Sequence, residues 1–119
     1  MLLAAQIVTG IVALIHVYIV LLETVLFDTR GKTVFVLSDA AAAIVKSAMS
    51  NQGCYNGFLV AALALGLFWP DPAVAKAFVL FGLTCVAVAG VWGCLTVKRS
   101  ILLIQTLPAV VGLGLWWAV

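Results

Sequence analysis

Charge is what this sequence has least of. Six of its 119 residues are Lys or Arg, four are Asp or Glu, and one is His, against a hydrophobic share of 66%. A soluble domain devotes about a quarter of its residues to charge, and a chain this short leaves much of its surface exposed. The composition therefore excludes an ordinary water-exposed globule and points to the bilayer as the solvent. A net charge of +2, scattered along the chain, is too small to argue for a nucleic-acid partner, and none is expected. One histidine and three cysteines (Cys54, Cys85, Cys94), without C-x-x-C or zinc-like spacing, argue against a closed four-ligand metal site. No cofactor motif is present, and the cysteines read as small packing residues. Nothing resembles a long linker, so residues 1–119 are expected to form one transmembrane domain. The N-terminus lacks a positive n-region, which reads as a retained helix and not a cleaved signal peptide.

Long apolar runs are what it has instead. A spanning helix needs about 20 mostly apolar residues, and four segments qualify: 2–27, 49–69, 73–95 and 101–117. Asp28-Thr29-Arg30-Gly31-Lys32 closes the first, and Pro70-Asp71-Pro72 stops the second, since proline cannot continue a hydrogen-bonded helix. Residues 39–48, with Ser38 or Asp39 as N-cap and an alanine run after it, form an extra short helix or lengthen the second span. The fold class expected is all-α, an antiparallel bundle of four transmembrane helices.

Orientation follows from the basic residues. Arg30, Lys32 and Lys46 lie between spans one and two, and Lys98 and Arg99 between spans three and four, while Lys76 lies on the other side. An excess of Lys and Arg marks cytoplasmic loops. The basic connections are thus expected in the cytoplasm and both termini outside, in the cell membrane. Trp116 and Trp117 read as an aromatic belt on the outer side.

Ionisable and amide side chains inside a span are costly and usually face the bundle interior. Span one carries Gln6, Thr9, His16 and Glu23 on one stripe, because residues seven apart nearly superpose at 100° per residue. Glu23 lies roughly 6 Å inside the cytoplasmic end, and His16 about 10 Å deeper. Span two enters from the same side with Asn51, Gln52, Tyr55 and Asn56, span three brings Trp92, and span four brings Gln105. Gly53 and Gly57 add the small-xxx-small spacing that lets helices approach closely. A polar chamber in the cytoplasmic half of the bundle is the expectation. The plainer reading makes the amides interhelical fasteners, at about 0.6 kcal/mol per bond, lets Glu23 reach toward Arg30 or Lys32, and leaves Trp92 as an interfacial anchor.

Several of these residues carry a resemblance. His16, Tyr18 and Glu23, the F-D-T-R-G-K turn with Val34-Phe35 after it, and N-Q-G-x-Y-N-G-F from Asn51 to Phe58 resemble a family of small four-span membrane proteins of bacteria and fungi, catalogued as a domain of unknown function. The resemblance covers nearly the whole chain. It implies an integral membrane protein of four helices and no activity.

Three functions follow. The first is binding or transport of a small lipophilic or amphipathic molecule, with Glu23 as ionic or proton-accepting group, His16 as its proton partner, and Asn51, Gln52, Tyr55, Asn56 and Gln105 as lining. The second is an intramembrane isomerase or hydratase using Glu23 and His16 as an acid–base pair, against which stands the lack of a second intramembrane acid. The third is a structural accessory subunit. Membrane lipid is the expected surrounding partner, and a second copy of the chain is a candidate one.

Overall fold

The computed structural model describes all residues, Met1–Val119. The chain is helical throughout, with α1 over Leu2–Glu23, α2 over Lys32–Val34, α3 over Asp39–Phe68, α4 over Pro72–Thr96 and α5 over Leu107–Trp117. Two π-helical turns, Phe27–Gly31 and Leu102–Thr106, precede α2 and α5. Two helices, Leu2–Glu23 and Pro72–Thr96, are long and apolar enough to cross a membrane. Phe27–Val34 and Asp39–Phe68, bent by 105°, count as a third if taken as one broken span, and Leu102–Trp117 is apolar but shorter.

Local chemistry sets the ends. Leu26 donates its N–H to the carbonyl of Leu21 at 2.9 Å, and Gly31 to that of Leu26 at 2.8 Å. These five-residue steps widen the backbone after Glu23, so α1 stops before Phe27, where the apolar run ends. Residues 39–48 and the apolar stretch after them are one continuous helix of 30 residues. Asp71 accepts from the backbone N–H of Ala73 and Val74, both at 2.9 Å, and starts α4 with Pro72 in its first turn. Pro108 has no N–H to give; just before it the backbone widens again, and Leu107 bonds the carbonyl of Leu102.

The chain divides into two compact units, residues 1–14 with 59–119, and residues 15–58. The first holds the main core. Val79, Leu83 and Val86 recur on one face of α4 and cluster with Ala5 and Val12 of α1, Leu63 of α3, and Ala109 and Trp116 of α5. Bare backbone lets the helices close up. A Cβ on Gly66 would lie 2.8 Å from the backbone nitrogen of Val79, and one on Gly90 would lie 2.8 Å from that of Thr106. Beside Gly90, the Thr106 hydroxyl donates to the carbonyl of Ala87 at 3.2 Å. The outward faces stay apolar, with Leu14, Phe81, Val88 and Leu103 all exposed. Apolar surface on this scale belongs against another apolar phase.

The two C-terminal tryptophans part company. Trp117 is 76% exposed, as an aromatic belt requires, but Trp116 is 5% exposed and belongs to the core. A buried indole needs a partner for its N–H, and Trp116 donates Nε1–H to the Thr9 hydroxyl at 2.9 Å. Thr9 in turn donates to the carbonyl of Ala5 at 2.8 Å. The belt reading therefore fails for Trp116. Trp116→Phe keeps the ring and removes the donor, and is expected to cost about 1–2 kcal/mol, measured as a lower Tm in detergent.

The second unit, residues 15–58, turns on the connection between α1 and α3. Phe27 is buried there, and Gly31 packs onto the carbonyl of Leu22. Two ion pairs tie the connection to α3 in nested order: Asp28 with Lys46, and Lys32 with Asp39 at 2.7 Å. Arg30 donates Nε–H to the Tyr18 hydroxyl at 3.2 Å. Val36 closes the bend at φ 57, a region that costs a β-branched residue roughly 1–2 kcal/mol. Because Val36 is exposed, Val36→Gly is expected to raise stability by about 1 kcal/mol, read as a higher denaturation midpoint.

Candidate functional site

Glu23 is the last residue of α1 and is 6% exposed. The buried stripe of α1, read along its length, is Ala5, Thr9, Val12, His16 and Glu23, and the 100° period of the helix keeps them on one side. His16 is fully enclosed, at 1% exposure. About 10 Å of helix rise separates His16 from Glu23 along the axis.

The partner of Glu23 comes from α3. Asn56, 9% exposed, donates Nδ2–H to Glu23 Oε2 at 2.7 Å. Gly53, one turn before Asn56, explains how it gets there. A Cβ at Gly53 would lie 2.6 Å from Thr24 Cγ2 and 3.2 Å from Glu23 Cβ. Only a residue without a side chain brings α3 this close to the end of α1, within reach of an amide as short as that of asparagine. Thr24 takes no part in the site, since its hydroxyl is spent on the carbonyl of Val20 at 2.6 Å. That is the usual fate of threonine inside an apolar helix.

The remaining polar residues of α3 are placed otherwise. Asn51, Gln52 and Tyr55 are exposed, and Tyr55 rests edge-on against the exposed ring of Phe58, centroids 6.0 Å apart. Asn51 and Tyr55 lie two residues to either side of Gly53, roughly 200° around the helix, so the face that meets α1 turns them away. Gly57 has nothing within 4 Å of a built Cβ, so of the two spaced glycines only Gly53 serves a close approach. The other unit contains Trp92, 70% exposed on α4, and Gln105, half-buried with its Cβ against Gly90. The arrangement thus joins Glu23 to Asn56, encloses His16 on the same helix as Glu23, and leaves Asn51, Gln52, Tyr55 and Trp92 on the surface.

Glu23 has no ion pair. Lys32 and Lys46 are engaged by Asp39 and Asp28, and Arg30 by Tyr18. The nested charges were visible in the sequence as Asp28 and Lys32 followed by Asp39 and Lys46, in the order a chain folding back on itself would pair them. All three cysteines are free, with Cys54 exposed and Cys85 and Cys94 half-buried. What the site offers chemically is a buried carboxyl group held by a neutral amide. The model of a family described as "Protein of unknown function (DUF1304)" matches residues 10–117. No curated protein and no solved structure matches the chain.

Proposed function

The chain belongs to the DUF1304 family of proteins of unknown function, and from its own geometry we propose that it is an integral membrane protein that binds or transports a small lipophilic or amphipathic molecule. The observation that carries this reading is the buried Glu23, fastened to Asn56 at 2.7 Å and to no basic residue. Ionisable groups kept inside apolar helices usually serve a ligand, an ion or a proton, and binding sites are apolar spaces with a few converging polar groups. Glu23 and Asn56 form the polar anchor, and His16 lies deeper on the same stripe. Asn51, Gln52 and Tyr55, exposed on α3, lie outside that anchor. The four apolar stretches cross the bilayer as an antiparallel bundle, with the Arg30–Lys46 and Lys98-Arg99 connections cytoplasmic and both termini outside.

A structural role is the second reading, and the Trp116–Thr9 bond favours it, because it shows a buried polar pair acting as a fastener in this same chain. The enzyme reading gains no such support, since its acid and base are separated by about two turns of one helix. Ligand-extraction profiling of the wild type, Glu23→Gln, His16→Ala and Asn56→Ala proteins separates the first two. A co-purifying lipophile in the wild type, lost from Glu23→Gln and Asn56→Ala, is the expected result. Identical profiles in all four proteins would remove the binding reading and leave the fastener.

A further inference from the structure

The Lys and Arg side chains of the unit that holds Glu23 already have partners. In the unit formed by residues 15–58, Lys32 lies 2.7 Å from Asp39, Lys46 is paired with Asp28, and Arg30 holds the Tyr18 hydroxyl. A neutral amide orients the Glu23 carboxylate without cancelling its charge, and a charge withdrawn from water without a counter-ion is strongly disfavoured. Neither lysine of this unit is left to pair with a Glu23 carboxylate, and Arg30 is turned to Tyr18.

We propose that the site takes a cationic amphiphile, an ammonium group on an apolar tail. This rests on the lipophile-binding reading of the same pair and adds the charge of its ligand. The hydrogen bond from Asn56 occupies Glu23 Oε2, so Glu23 Oε1 and the Asn56 side-chain carbonyl are the acceptors left to the pair. An ammonium has several N–H donors and no acceptor, which complements two acceptors held on adjoining helices. Next to Asn56 along α3, Gly57 carries no side chain, and a Cβ there would meet nothing within 4 Å. That open space is where an apolar tail would leave the pair. When no amphiphile is bound, a proton on Glu23 serves the same electrostatic purpose, so the ligand and the proton exclude each other.

The test compares dodecylamine with dodecanol, equal in chain length and different in charge, on protein in lipid nanodiscs. Wild-type protein is expected to bind the amine about tenfold or more tightly than the alcohol, the size of one charge-assisted hydrogen bond. That preference should vanish in Glu23→Gln. A second arm needs only the wild type: a lipophilic carbodiimide modifies Glu23, read by intact mass, and the amine protects it while the alcohol does not. Equal binding of amine and alcohol by the wild type, or an undiminished preference in Glu23→Gln, overturns the cationic ligand and leaves the lipophile site standing. Failure of both compounds to bind overturns the site as well.

Discussion

Gly90→Val is expected to destabilise the protein by more than about 3 kcal/mol, the upper end of what overpacking costs. The reason is what the new side chain would meet. A Cβ at position 90 lies 2.8 Å from the backbone nitrogen of Thr106 and 3.0 Å from Gln105 Cβ, and it also collides with the Thr106 hydroxyl. A side-chain tip can swing away from an intruding methyl, but a backbone nitrogen can move only if its helix moves. Here the helix is the π-helical turn Leu102–Thr106, after which Leu107 bonds the carbonyl of Leu102 just before Pro108. Separation at this point also breaks the bond from Thr106 to Ala87. Gly66→Val fails in the same way against the backbone nitrogen of Val79, at 2.8 Å. Gly114→Ala is the control: nothing lies within 4 Å of its Cβ, and the gain in helix propensity, up to about 1 kcal/mol, should leave stability equal or raised. Thermal unfolding of the purified proteins in one detergent reads all three. A Gly90→Val protein as stable as the wild type would mean that α4 and the π-helical turn do not touch as described.

The helical character of the chain and its apolar stretches were legible because composition and run length report them directly. The buried stripe of α1 was legible too for Thr9, His16 and Glu23, which repeat at intervals a helix superposes, while Gln6, read as part of it, is only half-buried. The facing of α3 was not. Its polar cluster, Asn51 to Asn56, gives angles between residues but does not say which angle points inward. Gly53 settles that by admitting α1, and its meaning depends on atoms of Val20, Glu23 and Thr24 that no local pattern in α3 reveals. Tandem tryptophans pose the same problem. Trp116 and Trp117 differ in sequence by nothing but position, and the hydroxyl that draws one inward belongs to Thr9, at the other end of the chain. The nested pairing of Asp28, Lys32, Asp39 and Lys46 was readable in principle. Counting basic residues for orientation passes over it, because that rule concerns Lys and Arg and not net charge.

Asn56→Leu is expected to cost about 2–3 kcal/mol, because it removes the one hydrogen bond to a buried carboxyl group and supplies nothing in exchange. The loss should depend on Glu23 itself. With leucine at both positions the stranded acceptor is gone, and the double variant should recover most of the stability, since replacing both partners by apolar groups of similar size is close to neutral. Glu23→Gln should change stability least of all, because the glutamine carbonyl still accepts from the Asn56 amide. The three proteins therefore separate the two roles of the pair. A fastener predicts that stability follows the hydrogen bond: low in Asn56→Leu, near normal in Glu23→Gln and in the double variant. A ligand site predicts in addition that Glu23→Gln, although stable, no longer retains the bound molecule. Denaturation midpoints and ligand content measured on the same preparations give both answers. If Asn56→Leu and the double variant were equally destabilised, Glu23 and Asn56 would not be coupled, and the packing of α3 on the end of α1 would rest on Gly53 alone.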